Sequence, residues 1–328
     1  MKQNTNLVSK LFGLFLFVAI VFLISFGNRS VVSYANTKEE SIKNLPIKTM
    51  KEEEAGSKHS LEHARSYLSS KEERTLYDKL YRGLKNGKIE IEITNYGNEI
   101  IKNSFDALLY DHPEMFWLIN GFDCYGNACS TTISPLLSVD EDQIPVLRRI
   151  FNRKVAKILS EMDPAWDDYQ KVLYFHDYIV NHCVYDLDAE HEIEEARDEG
   201  FLVSDRVFIS ANAFGCLVNQ LAVCEGYSEA MQVLCNAAGI KCIMVAGNGG
   251  THEWNIVYLD GVPYQIDLTW DDPVQATQEE TNSHQELLHD YCFLTDEEMY
   301  EDHDPETENL PVCNHKENSY YIREQKNR

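Results

Sequence analysis

The stretch QLAVCEGYSEAMQVLCNAAGIKC, residues 220–242, decides how the centre of this chain is expected to fold. Apolar residues recur along it at the spacing of one helix face: Tyr227, Ala230, Met231, Leu234, Cys235 and Ala238. Gly239 follows the last of them, and glycine is common just after a helix ends. The pattern predicts an amphipathic α-helix with Cys235 facing the core. We interpret Cys235 and Cys242 as buried structural thiols, because apolar sequence surrounds both.

Cys224 differs from those two cysteines, because it stands between the apolar run 221–223 and the polar pair Glu225-Gly226. This position precedes the first turn of the predicted helix, where unpaired N–H groups and the helix dipole favour negative charge. We therefore predict a lowered pKa for the Cys224 thiol and a nucleophilic thiolate. Gly226 is expected to leave room there for a substrate backbone.

A β-hairpin is predicted downstream by THEWNIVYL, Asp260-Gly261 and VPYQIDLTW, which together cover residues 251–270. Asp-Gly between two alternating runs is the strongest short hairpin signal. A two-residue loop sets the register, in which Leu259 faces Val262. His252 and Asp267 then lie diagonally on one face, within reach of a side-chain hydrogen bond.

These predictions bring together a nucleophile, a base and a group that orients the base, in the order Cys224, His252 and Asp267. The alternative is a helix packed on a hairpin with an incidental histidine–aspartate pair. An oxyanion hole could use the Cys224 backbone N–H and a side-chain amide from Gln220 or Asn219, unless those amides are structural.

Three further residues are assigned to the wall of the site: Trp254, Gly226 and Tyr227. Trp254 lies on the same face of the predicted hairpin as His252, so its indole is expected to exclude water from the imidazole. Plain packing is the alternative interpretation for this tryptophan.

Three motifs in this region resemble the core of the transglutaminase-like superfamily. They are Val-Cys-x-Gly-Tyr at 223–227, His-x-Trp-Asn at 252–255 and Asp-x-Thr-Trp-Asp-Asp-Pro at 267–273. The resemblance, to exported bacterial proteins of this kind, runs from about Trp166 to Asp304. It implies that Cys224 is the nucleophile, His252 the base and Asp267 the orienting residue.

The resemblance also implies an α+β fold with a papain-like or transglutaminase-like core, in which the cysteine-bearing helix packs on an antiparallel sheet. One departure is Asn219-Gln220, where many relatives carry Asn-Gly. The calcium dependence of animal relatives is not implied, because no calcium-site motif matches. We expect no cofactor and no metal.

The remaining sequence predicts five segments: a signal peptide or membrane anchor (1–35), a linker (36–60), an N-terminal α+β region (61–162), the catalytic core (163–304) and a tail (305–328). The apolar run at 11–26 is short for a membrane span and is followed by the small-x-small sequence Ser33-Tyr34-Ala35. A cleaved export signal and an uncleaved anchor are both consistent with it. Either way, the rest of the chain is expected outside the membrane, secreted or at the cell surface.

The composition limits the classes of molecule that the protein is expected to bind. The formal charge of −25 over 328 residues repels phosphate backbones, so nucleic acid binding is excluded. The expected partner is a protein or peptide substrate, of which the cell envelope is one source, and membrane contact is expected only through the N-terminal segment. The acidic segment 185–200 is interpreted as a solvated face.

Nine cysteines are an odd number for an exported chain, so at least one thiol is expected to remain free. Cys124 and Cys129 are close enough in sequence to bridge a tight loop. No paired CxxC pattern is present, which argues against a structural zinc site.

The predicted reaction is acyl transfer through a Cys224 thioester. An amine acceptor would make the protein a transglutaminase, and water would make it a cysteine protease or amidase. A catalytically silent interaction module is the remaining interpretation.

Overall fold

A computed structural model describes residues 61–94, 96–126, 130–199, 203–272 and 287–326. The predicted export segment and linker, residues 1–60, lie outside this description, and so does Cys129. None of the helices within the described ranges combines the length and apolar character needed to cross a membrane.

Among its described residues, the N-terminal part has these α-helices and strands: α1 (His63–Tyr67), α2 (Lys71–Leu84), β1 (Ile91–Ile93), α3 (Asn98–Asp111), β2 (Leu118–Gly126), β3 (Thr131–Leu137) and α4 (Ile144–Ser160). Its antiparallel sheet has the order β1-β3-β2. Helix α2 begins with a capping box, in which Ser70 accepts from the backbone N–H of Glu73 and the Glu73 carboxylate accepts from that of Ser70.

The C-terminal part begins with α5 (Asp168–His182), β4 (Val184–Tyr185), α6 (Leu187–Glu199), α7 (Asp205–Ser210), a π-helical turn (Gly215–Asn219), β5 (Leu221–Ala222) and α8 (Cys224–Ala237). It continues with β6 (Cys242–Gly247), β7 (His252–Leu259), β8 (Val262–Ile266), β9 (Cys292–Leu294), α9 (Asp296–Met299) and α10 (Tyr320–Lys326). Strands β6-β7-β8-β9 form an antiparallel sheet in that order, and α8 packs on β6 and β7. The predicted α+β core is confirmed.

The hairpin between β7 and β8 has the predicted register. Leu259 pairs with Val262, and the ladder runs back to Asn255 opposite Ile266. Asp260 and Gly261 both have positive φ, at 51° and 82°, as a type I′ turn requires. The start of β7 and the end of β8 therefore meet at one edge of the sheet.

The N-terminal part packs directly against the C-terminal part. Phe116 and Phe151 of the N-terminal part lie 4.7 Å and 6.2 Å from Phe214, measured between ring centroids. Tyr110 donates its hydroxyl to the carbonyl of Met244 and accepts at its own carbonyl from the Gln232 amide, at 3.0 Å. One continuous cluster of buried apolar side chains spans both parts.

Gly226 has a different role from the predicted one. A Cβ on Gly226 would lie 2.5 Å from the Ser210 carbonyl oxygen, 2.8 Å from the Cβ of Ala222 and 3.0 Å from the Asn212 carbonyl oxygen. The space beside this glycine is filled by the protein's own backbone. The expectation that it accommodates a substrate is therefore wrong, because the loop after α7 crosses the first turn of α8 there.

We predict that Gly226→Ala lowers the free energy of unfolding by about 1–3 kcal/mol or more, because the added methyl group meets backbone that cannot rotate away. The matched control is Gly97→Ala, since a Cβ at Gly97 meets no atom of the described residues within 4 Å. Urea unfolding of the two variants measures the difference. Equal destabilisation by both substitutions would contradict the proposed close approach.

Candidate active site

Cys224 is the first residue of α8, and the residue before it, Val223, provides no side-chain cap. The thiol therefore stands at the end of α8 where the backbone N–H groups lack helical partners. The backbone N–H of Glu253 donates a hydrogen bond to the Cys224 sulfur. Because Glu253 follows His252 directly, this bond holds the sulfur against the start of β7.

His252 and Asp267 form the predicted hydrogen bond, with 2.5 Å between His252 Nε2 and Asp267 Oδ2. Asp267 is fully buried, and its Oδ1 accepts from the backbone N–H groups of Thr269 (2.8 Å) and Trp270 (3.3 Å). Burial alone would raise the pKa of Asp267, but its contacts with His252 and His303 hold it well below the usual range. The carboxylate is therefore ionised and fixed in position.

His303 is a second histidine on the same carboxylate oxygen, and the sequence reasoning assigned it no role. Its Nε2 lies 2.9 Å from Asp267 Oδ2, and its Nδ1 lies 2.6 Å from Asp302 Oδ1. Burial lowers the pKa of His303, but the hydrogen bonds to the two aspartates outweigh it and the net pKa is raised. The sequence YCFLTDEEMYEDH ends at His303 and lies inside the range from about Trp166 to Asp304 that resembles the superfamily, which was the available signal.

Trp254 packs on His252 and is itself only 1% exposed, which agrees with the packing interpretation of this tryptophan. Its ring lies 5.9 Å from that of His252 at an interplanar angle of 19°, and its Nε1 donates to Gln265 Oε1 at 2.8 Å. Tyr227 is also fully buried, and it donates its hydroxyl to Asp272 Oδ2 at 2.6 Å. Its assignment to the wall of the site is therefore wrong.

A cavity of about 160 Å³ opens beside the thiol and the imidazole. Cys224 and His252 both line it, and the opposite wall comes from Glu190, Ile193 and Glu194 of α6. The acidic segment 185–200 is thus a cavity wall as well as a solvated face. Neither Gln220 nor Asn219 is among the described residues that line this cavity, and their oxyanion role stays a prediction.

The pKa of the Cys224 thiol is raised, which overturns the predicted lowering. Burial is the largest cause, followed by the negative charge of Glu253, and Glu225 and Asp267 add to it. The N–H of Glu253 acts in the opposite direction but is outweighed. The resting site therefore holds a neutral thiol.

The eight cysteines among the described residues are free thiols. Cys235 and Cys242 are fully buried and in hydrogen-bond contact, as are Cys183 and Cys216 in a second pair. The interpretation of Cys235 and Cys242 as buried structural thiols is confirmed. The suggested Cys124–Cys129 bridge involves a residue outside the described part.

Among the described residues, three groups bring metal-ligand atoms within 4.8 Å of one another: His252, Asp267 and His303; His176, Asp271 and Cys292; His176, Asp177 and His289. Hydrogen bonds between histidine and carboxylate account for much of this closeness. His176 Nε2, for example, lies 3.1 Å from Asp271 Oδ2. The neighbouring Asp272 accepts a hydrogen bond from the Tyr227 hydroxyl instead. Asp271 and Asp272 therefore bind different partners.

Comparison with known proteins places this geometry in a family context. Residues 156–267 match the transglutaminase-like superfamily. Kyphoscoliosis peptidase of Mus musculus is 27% identical over 173 residues, which are 48% of this chain and 23% of that protein. Kyphoscoliosis peptidase of Homo sapiens is 27% identical over 170 residues, 47% of this chain and 23% of that protein. This chain thus spans under a quarter of these relatives, which are animal proteins, and a bacterial source stays an expectation.

A solved structure titled "Crystal structure of a TGase" aligns over 60% of this chain and 53% of that chain, with a TM-score of 0.32 and 15% identity. An overlap this low adds nothing to the argument.

We predict that alkylation of Cys224 by iodoacetamide is slow at neutral pH and still accelerates above about pH 9, because the pKa of the thiol lies above its ordinary value of about 8.5. Mass spectrometry of the Cys224 peptide across a pH series measures this, with Cys224→Ala identifying the signal. A rate that reaches its plateau below pH 7 would show a preformed thiolate and contradict the prediction.

Proposed function

Residues 156–267 belong to the transglutaminase-like superfamily, and from this premise we propose that the protein is a thiol acyltransferase acting on protein or peptide amides. The observation that carries the proposal is the His252–Asp267 hydrogen bond, which orients the imidazole in the cavity that it shares with Cys224. A half-buried thiol that shares a cavity with an oriented base is the arrangement that nucleophilic catalysis needs.

In the proposed first half-reaction, the Cys224 sulfur attacks the carbonyl carbon of a carboxamide, and a carbon–sulfur bond forms. His252 bonds Asp267 through Nε2, so its Nδ1 is the nitrogen that takes the thiol proton. The imidazolium then gives this proton to the departing nitrogen as the carbon–nitrogen bond breaks. Ammonia or an amine leaves, and a thioester remains on Cys224.

Asp267 stabilises the imidazolium that forms during this step, because its carboxylate is ionised and cannot move. Two backbone N–H groups hold one of its oxygens, and His303 holds the other. His303 is thus a positioning residue that acts through Asp267.

Hydrolysis is the second candidate, with water resolving the thioester in place of an amine. It is supported by the printed name of the animal relatives, which are peptidases. We further propose that the protein acts outside the membrane on cell-envelope or secreted substrates, which the apolar run at residues 11–26 supports.

We predict that the protein incorporates a primary-amine probe into a glutamine-containing protein, and that Cys224→Ala abolishes incorporation because no thioester can form. Mass spectrometry of the acceptor protein, with and without the probe, is the measurement. Cleaved or deamidated products without incorporation would establish the hydrolase instead. An unmodified substrate together with an unreactive Cys224 would contradict both candidates and favour an interaction module.

We predict that His303→Phe lowers kcat by about tenfold, which corresponds to about 1.4 kcal/mol in the barrier, because Asp267 loses a hydrogen-bond donor. His303→Gln retains a donor of similar reach and is expected to recover most of the rate. The pH dependence of kcat distinguishes a positioning role of His303 from a folding defect. A change in how Asp267 is held alters the ionisation of His252, whereas a folding defect alone does not. Equal kinetics and equal pH profiles for both variants would rule out the positioning role.

A further inference from the structure

Three side chains that the proposed reaction does not use are buried together: His176 of α5, Asp271 after β8 and Cys292 of β9. One histidine nitrogen, one carboxylate oxygen and the cysteine sulfur lie within 4.8 Å of one another. The exposed fraction of each of the three residues is 0%. Asp271 ends the turn whose backbone N–H groups, those of residues 269 and 270, hold the Asp267 carboxylate.

The sulfur of Cys292 is the atom of this group that hydrogen bonding does not account for. His176 Nε2 lies 3.1 Å from Asp271 Oδ2, so these two atoms are close as a hydrogen-bonded pair. Cys292 Sγ, in contrast, forms no hydrogen bond among the described residues. A buried free thiol usually behaves as a small apolar group, yet this one lies beside an imidazole and a carboxylate. That is the place of a third metal ligand.

Contacts outside the group hold the histidine and the carboxylate in orientation. His176 Nδ1 lies 2.9 Å from Asp177 Oδ1, and a metal-binding histidine almost always donates its second ring nitrogen to a carboxylate, a carbonyl or water. Asp271 Oδ1 accepts from the backbone N–H of Tyr291 at 3.0 Å, and its Oδ2 is the oxygen next to His176. Both side chains therefore have the supporting contacts that metal ligands have in other proteins.

The other two groups with converging ligand atoms are explained without an ion. Asp267 Oδ2 lies 2.5 Å and 2.9 Å from two histidine nitrogens, and Asp177 Oδ1 lies 2.9 Å and 2.8 Å from two. Hydrogen bonds between histidine and carboxylate thus account for every member of these groups. Neither of them contains a sulfur.

Zinc fits the ligands of the buried group in geometry and in charge. Two nitrogen or oxygen ligands at about 2.0–2.1 Å from a tetrahedral zinc ion lie about 3.3 Å apart, close to the 3.1 Å between His176 Nε2 and Asp271 Oδ2. Zinc accepts imidazole, carboxylate and thiolate ligands, whereas Ca²⁺ and Mg²⁺ take oxygen. One carboxylate and one thiolate balance the charge of Zn²⁺, so the buried site carries no net charge.

We propose that His176, Asp271 and Cys292 bind a structural zinc ion. Binding deprotonates the Cys292 thiol, and its proton is released to solvent. Water is expected to complete the coordination, because no fourth histidine, cysteine or acid of the described residues joins the group. The sequence analysis expected no metal and found no paired CxxC pattern; these ligands come from three separate segments. Zinc binding here does not depend on the proposed acyl transfer.

Metal analysis of the full chain tests the proposal. The protein is prepared without a polyhistidine tag and as Cys224→Ala, so that neither a tag nor the active-site thiol binds zinc. We expect about one zinc ion per chain by inductively coupled plasma mass spectrometry. In competition with a chromophoric chelator, Cys292→Ser and Asp271→Asn should each weaken zinc binding by about 100-fold or more, since losing a supporting contact alone costs 10–100-fold. The matched control is Cys235→Ser, an equally buried cysteine outside the group, which should bind zinc as before.

Three results would overturn the proposal. The first is a protein that holds less than about a tenth of a zinc ion per chain, both as purified and after addition of Zn²⁺. The second is zinc that Cys292→Ser and Asp271→Asn retain but His303→Phe loses, because the ion would then lie between His252 and Asp267. The third is tighter binding of Ca²⁺ or Mg²⁺ than of Zn²⁺, because the ligands would then be oxygens alone.

Thermal unfolding gives a readout that needs no activity. Removal of zinc by a chelator is expected to lower Tm by about 5 °C or more, because the ion stabilises only the folded chain. Asp271→Asn, which keeps an acceptor for the Tyr291 N–H, should show no shift on addition of the chelator. An unchanged Tm of the parent protein after its zinc has been removed would contradict the structural role.

Discussion

The two-residue turn at Asp260-Gly261 is the constraint on which the site depends. Its left-handed backbone matches the twist of the flanking strands and fixes which residues of β7 and β8 oppose each other. A slip by one residue would move His252 to the other face of the sheet and separate it from Asp267. The 2.5 Å bond between these two side chains is therefore a direct result of local turn chemistry. The packing of α8 on β7 then brings Cys224 to the same edge.

This dependence explains which parts of the molecule could be predicted from sequence. The hairpin register, the helix at 224–237 and the burial of Cys235 follow from patterns within about twenty residues, where spacing determines which side chains share a face. His303 could not be assigned, because it reaches Asp267 from a segment 36 residues away. The role of Gly226 was missed for the same reason, since the backbone that fills its space belongs to the loop after α7.

The pKa of Cys224 is raised, although two local effects lower it. The start of a helix does favour a thiolate, and the N–H of Glu253 acts in the same direction. Burial of the thiol, and after it the negative charges of Glu253 and Glu225, act against ionisation and outweigh these two effects. The size of this effect depends on how closely α8 packs on β7. The spacing of residues along α8 alone gives no information about that packing.

The N-terminal and C-terminal parts of the chain are in contact, so the segment that matches the superfamily is not a separate structural unit. The superfamily match begins at residue 156, inside α4, whereas Phe116 and Tyr110 lie well before it. A fragment trimmed to the match would leave Phe214 without its aromatic neighbour and the Gln232 amide without its acceptor. It would also uncover apolar surface beneath the cysteine helix. The matched segment is therefore shorter than the interior that it belongs to, because one cluster of buried apolar side chains extends across both parts of the chain.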